Sequence, residues 1–314
     1  MTPRPLALGV YGAGILFCLT PWASPGLALA LGLAFALLAD NPYRDSGSKY
    51  VRWLLQGCVV LLGFGVDLGA VIRVGSQGLL FAAATIFGTF ALGYALARLL
   101  RINLKTSLLI SAGTAICGGS AIAAVGGAVD ADKGEMSVAI GTVFLLNAVA
   151  LYLFPPLGHA LHLSQVQFGT WAGVAIHDVS SVAGAASAYG EEALRVATVV
   201  KLSRVLWIVP VTFAAALLFP RAGGAGARRL PLPWFILGFL GASALGSLLP
   251  ALQPAVPWLV RAARAGFAVT LFCIGAGLSR AALKQVGYRP LLQGVCLWAF
   301  ISAAALAAVL QLGA

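Results

Sequence analysis

Charge is what this sequence has least of. Only 9% of its 314 residues are charged, and only nine are acidic. A soluble domain carries roughly a quarter charged residues, so this chain cannot coat a water-facing surface. Most of that surface must face hydrocarbon. Histidine is scarce too, at three residues, and no His-Glu-x-x-His pair occurs. Nor is there a Ser/Lys pair in register or a paired carboxylate site, so an intramembrane protease or transferase has no visible machinery. The five cysteines, Cys18, Cys58, Cys117, Cys273 and Cys296, lie inside apolar runs and form no Cys-x-x-Cys pair. That argues against a disulfide framework or a zinc site. No Gly-x4-Gly-Lys-Ser/Thr loop is present to hold ATP, and no cofactor is expected.

What is present is apolar. The hydrophobic fraction is 61% and the mean hydropathy +0.97. The net charge of +11 sits mostly in short loops between apolar runs. There it sets membrane topology and does not mark a nucleic-acid surface. Apolar runs cover 6–20, 26–39, 51–72, 78–97, 106–128, 136–156, 166–189, 191–219, 234–249, 256–279 and 290–312. The first could pass for a signal peptide, but Pro21 and the second run favour a retained helix. The 314 residues fill a single integral membrane domain, an all-α polytopic bundle of about 9–11 transmembrane segments. If all eleven runs span, thirteen loop Lys/Arg fall on one side and five on the other. The positive-inside rule then places the N-terminus in the cytoplasm, with the chain in the cell (inner) membrane.

Two stretches echo each other. Ala112-Gly113-Thr114-Ala115-Ile116-Cys117-Gly118-Gly119-Ser120 and Ala172-Gly173-Val174-Ala175-Ile176-His177-Asp178-Val179-Ser180-Ser181 both open Ala-Gly-x-Ala-Ile, at a constant offset of 60. Each breaks at a polar or glycine centre and then resumes apolar. Such a break is tolerated at membrane depth only where it is buried in protein or lines a cavity. Paired breaks point to the binding site of a secondary transporter built on inverted repeats. If both segments span, they are parallel; if both are re-entrant, they enter from opposite sides, as inversion requires. A fainter echo links Leu61-x-x-x-Gly65-x-x-Leu68 to Leu271-x-x-x-Gly275-x-x-Leu278.

Thr114–Ala123, then Ile176–Val182, then Val200-Lys201-Leu202-Ser203-Arg204 resemble the YeiH-type family named for sulfate export, over nearly the whole chain from about residue 25. More distantly, 61–156 is similar in layout to the first half of the bile acid–sodium symporter family. There a Gly-rich break and a Gly-acidic pair, here Gly134-Glu135, mark a crossed discontinuous helix. The resemblance implies an inverted-repeat core that moves against a second domain by alternating access. It also implies a small anionic substrate, sulfate or an organic sulfonate or carboxylate.

Several polar groups are candidates for that site. His177 and Asp178 sit at the second break and can bind substrate or a proton; alternatively they cap half-helices. Ser120, Ser180 and Ser181 follow the breaks, where N–H groups favour an anion, or else they pack helices as small residues. Cys117, Gly118 and Gly119 form the first break. Lys201 and Arg204 share one helical face and can neutralise an anion, or instead snorkel or pair with Glu191 or Glu192. Asp178 and Asn147 are candidates for a coupling Na+ or H+; Asn147 and Asp67 are the weaker ones, and each can equally make an interhelical hydrogen bond or mark a helix end. The leading expectation is a secondary transporter of a small anion. A Na+- or H+-coupled carrier of another solute and a purely structural membrane subunit are the alternatives, and a homo-oligomer stays open. The two breaks should lie within about 10 Å, one helix–helix distance.

Overall fold

The computed structural model describes residues 5–20, 22–23, 25–38, 47–219, 234–277 and 287–312. Among them every regular element is helical, so the chain is an all-α polytopic membrane protein. The helices are α1 (Pro5–Cys18), α2 (Pro25–Leu38), α3 (Gly47–Gly63), α4 (Leu68–Leu100) and α5 (Leu104–Ala112), which continues as a π turn (Gly113–Cys117). Then come α6 (Gly119–Val129), α7 (Lys133–Ala160), α8 (Gln165–Ala175), α9 (Val179–Tyr189), α10 (Glu191–Val205), α11 (Ile208–Leu218), α12 (Trp234–Leu248), α13 (Val256–Gly277) and α14 (Tyr288–Leu312). Among the described residues five stretches are long and apolar enough to cross a bilayer: Leu80–Leu100, Lys133–Ala160, Glu191–Leu218, Val256–Gly277 and Tyr288–Gln311.

The two broken segments do not cross. Each is a hairpin that returns to the side it came from. At the mouth of the first, Lys105 Nζ donates to Asp130 O at 3.1 Å. Deeper in, a Cβ on Gly113 would meet Ile122 Cδ1 at 2.8 Å. At the mouth of the second, Tyr189 Oη donates to Leu163 O at 2.5 Å and the Phe168 and Tyr189 rings stack 3.8 Å apart. The reason is length. Arms α6, α8 and α9 have 11 residues each, about 16 Å of helix. That reaches only the middle of a hydrocarbon core of about 30 Å. Because α7 crosses between them, the hairpins enter from opposite sides. Asp132 with Glu135 and Ser164 with Gln167 form capping boxes that start α7 and α8, so each turn at a mouth is written locally. Glu135, expected to belong to a crossed helix, instead caps the span after the hairpin.

Helices α4–α11 and α14 pack as a core around the hairpins. Helices α1, α2, α3, α12 and α13 form a panel beside it, with α13 between α2 and α3. Small residues bring the core helices together, as packing in lipid favours: a Cβ on Gly169 would sit 2.7 Å from Ala193 O of α10. Hairpin α5–α6 followed by α7 is the inverted image of hairpin α8–α9 followed by α10–α11. In the core α4 lies against α5 as α14 lies against α8. In the panel the pair α2–α13 mirrors α12–α3, and α3 runs antiparallel to α13, with Gly65 beside Val260 and Gly266 beside Cys58.

Two segment boundaries depart from the sequence expectation. Run 51–72 is two elements, because the turn 64–67 ends α3 and α4 starts at Leu68. With both broken segments re-entrant, eleven crossings are too many. The run 191–219 bends at Leu206–Trp207. The loops 40–46 and 220–233, with seven of the eighteen basic residues used for the charge count, lie outside the described residues, as does Leu278 of the fainter echo.

Candidate functional site

The tips of the two hairpins touch. A Cβ on Gly118 would come 3.4 Å from Asp178 Cβ, well inside the distance expected for converging breaks. Asn147, halfway along α7, reaches the same place, which puts the meeting point near the middle of the bundle.

The first tip is made by the π turn and Gly118. Gly118 N donates back to Gly113 O at 2.8 Å, one residue wider than an α-turn. Gly118 then takes φ 67°, ψ −127°, a conformation essentially reserved for glycine. The wide turn leaves carbonyls without helical partners. Lys201 Nζ donates to Ile116 O at 3.3 Å, and Arg204 Nη2 donates to Ala115 O. Arg204 Nη1 also donates to Thr85 Oγ1 on α4 at 2.9 Å. Lys201 is 0% exposed and Arg204 1%, so neither snorkels. Among the described residues neither has a carboxylate within 4.0 Å; Glu191 instead pairs with Arg264 at 2.8 Å. Cys117 Sγ and Ser120 Oγ lie 2.8 Å apart, and Ser120 itself is exposed.

The second tip is held by its own side chains. Asn147 Oδ1 accepts from His177 N at 3.0 Å and from Asp178 N at 3.3 Å. These are the amides that the break frees, so Asn147 acts on backbone. Asp178 caps α9: its Oδ2 accepts from Ser180 N at 3.0 Å and from Ser180 Oγ. The positive end of α9 is thereby already met by a carboxylate. The N-terminus of α6 has no such cap from Gly118. The two half-helix ends are thus unequal, although the expectation gave both to a ligand. Ser180 and Ser181 are buried.

Around the contact, among the described residues, several buried polar atoms lack partners: both ring nitrogens of His177, Asn147 Nδ2, Arg204 Nε and Thr114 Oγ1. His177 is 1% exposed and lies within electrostatic reach of Lys201 and Arg204. Lys201 is within reach of Asp178 and Cys117. Buried polar groups are nearly always bonded. These are mostly donors, so the set suits an acceptor-rich guest.

A family model described as conserved hypothetical protein 698 matches residues 7–294. The chain belongs to this family. Members with curated sequences include a UPF0324 membrane protein of Porphyromonas gingivalis, 52% identical over 93% of this chain and 88% of its own. UPF0324 membrane proteins of Geobacter sulfurreducens (48% identical, 97% and 96% covered) and Bdellovibrio bacteriovorus (47%, 99% and 96%) are similar over their lengths. Those names say that the family is membrane-bound and go no further. No solved structure matches significantly.

Of the sequence candidates, Cys117, Gly118, Gly119, Ser120, His177, Asp178 and Ser180 form the joined tips, Asn147 of α7 and Lys201 and Arg204 of α10 bond to them, and Ser181 follows in α9. Asp67 does not: it sits in the α3–α4 turn, where Ser243 and Ser247 of α12 bond its neighbours Val66 and Leu68. Thr85 and Thr114 were missed. A lone Thr in an apolar helix carries no signal until its tertiary neighbour is known.

Proposed function

We propose that this protein is a secondary transporter of a small anion in the cell membrane, working by alternating access, and not an enzyme. The observation that carries this reading is a pair of buried cations, Lys201 and Arg204, at the junction of two opposed hairpin tips without a carboxylate partner among the described residues. Buried charges in a membrane are costly and are retained for use. Each break joins one helix C-terminus to one N-terminus, so their partial charges of about half a unit cancel. Asp178 offsets one of the two cations. The surplus of about one positive charge suits a monovalent anion, or a divalent one that arrives with a proton on His177. The resemblance to the YeiH-type family named for sulfate export agrees with an oxyanion, to which the unpartnered Arg204 Nε can donate.

With the hairpins re-entrant, fourteen loop Lys/Arg fall on the side of the α5–α6 mouth and four on the other. That supports a cytoplasmic N-terminus and a cytoplasmic α5–α6 mouth. Proteoliposomes loaded with labelled sulfate, a sulfonate or a monovalent oxyanion test the proposal, with and without proton and sodium gradients. Saturable flux that Lys201→Met and Arg204→Met abolish supports it. Absence of saturable anion flux under every gradient overturns it.

A further inference from the structure

We infer that the structure holds one of two states: the panel closes the face of the α8–α9 hairpin and leaves that of the α5–α6 hairpin open. In the other state α3 and α12 close over α6, while α2 and α13 leave α9. The inference draws its purpose from the transport reading, but its observations are independent of it.

The offset of 60 pairs Ser120 with Ser180, Ala123 with Ala183, Ala124 with Gly184 and Gly127 with Ser187. In α9 the first three are buried and Ser187 half-buried. In α6 Ser120 and Gly127 are exposed, and Ala123 and Ala124 half-buried. The same face of the same repeat is therefore more deeply covered in one copy than in the other. The cover is identifiable: α2 and α13 of the panel pack on α9, whereas the main neighbours of α6 are α5, the π turn, α7 and α11, all in the core. The panel is itself inverted, so the counterpart of α2–α13 is α12–α3. Applying the inversion to the observed contact puts α3 and α12 on α6.

A second observation marks the closed face. Arg264 of the panel helix α13 donates to Glu191 at the start of the core helix α10 at 2.8 Å. That pair ties the panel to the core at the mouth of the α8–α9 hairpin. Both side chains are partly exposed, so it is a weak strap that the opposite state can break. Two packings related by internal symmetry are close in energy, and exchange between them needs only rigid-body rocking of panel against core.

The test reads cysteine labelling, with no substrate needed. Cys18, Cys58, Cys273 and Cys296 are replaced by alanine, and the remaining Cys117 sets the background. Gly127→Cys adds a Cβ that meets nothing within 4 Å among the described residues, and Ser187→Cys is its symmetry mate. A membrane-impermeant maleimide is added to vesicles of each orientation. Gly127→Cys should label quickly from the α5–α6 side. Ser187→Cys should label from the opposite side at about a tenth of that rate or slower, the signature of a minor state. Glu191→Arg sets like charges against each other at the strap, as does Arg264→Glu. Either should raise Ser187→Cys labelling about two- to fivefold and lower that of Gly127→Cys. Equal labelling of the two positions in the parent overturns the inference. So does an unchanged ratio in both charge-reversed variants with normal size-exclusion profiles. Failure of anion flux alone leaves these rates untouched, so the two proposals fail separately.

Discussion

Asn147 is the side chain whose loss should be felt most directly. Its Oδ1 accepts from two amides, those of His177 and Asp178, at 3.0 and 3.3 Å. Both belong to the unwound backbone of the second tip, which no helix can satisfy. Asn147 is buried, so the vacated acceptor position in Asn147→Ala is poorly reached by bulk water. An unsatisfied buried donor costs about 1–3 kcal/mol. Two of them make the variant about 2–6 kcal/mol less stable, with the lower end applying if a water enters the gap. Asn147→Asp keeps an acceptor oxygen in place and should restore most of that loss. The check is thermal unfolding of purified protein in detergent, with Val149→Ala, an exposed position on the same helix, as the control. The expected order of melting temperature is wild type and Val149→Ala together, Asn147→Asp slightly below, and Asn147→Ala lowest by several degrees. If Asn147→Ala melts with the wild type, Asn147 does not hold the tip, and the account of how the break is paid for is wrong.

Gly118→Ala should cost about 1–3 kcal/mol, because φ 67° with ψ −127° is denied to a side chain; the same melting assay reads it. Asp178→Asn keeps an oxygen for Ser180 N but loses the charge that faces α9. Stability should therefore stay within about 1 kcal/mol of wild type while anion flux changes, which melting and proteoliposome flux read side by side. Arg204→Lys cannot reach Ala115 O and Thr85 Oγ1 together as the forked guanidinium does. Flux should fall below wild type yet exceed that of Arg204→Met. Gln293→Leu removes donations from Nε2 to Ser107 Oγ at 2.6 Å and Gly93 O at 3.3 Å, and should lower the melting temperature by loosening α14 from α4 and α5.

The sequence by itself determined the class of molecule and the location of its breaks. With 9% charge and 61% apolar residues no water-facing fold is open to it, and a backbone that stops being helical at Cys117–Gly118 and at His177–Asp178 has to be buried in protein. The repeat at offset 60 was legible because small residues and glycines at matched positions are a local pattern. So were the capping boxes at Asp132 and Ser164, since a cap is decided within four residues. Whether each broken segment crosses or turns back was not decided by charge counting, since moving Lys133 from one side to the other barely changes the split. The tertiary structure decided it through contacts between residues about 25 apart, Lys105 with Asp130 and Leu163 with Tyr189. Only the fold could assign Lys201 and Arg204 their acceptors, because the carbonyls of Ile116 and Ala115 lie 85 and 89 residues away along the chain. Main-chain carbonyls are the same in every sequence, so no residue type announces which will be left over. That is set when the π turn and α10 are brought side by side.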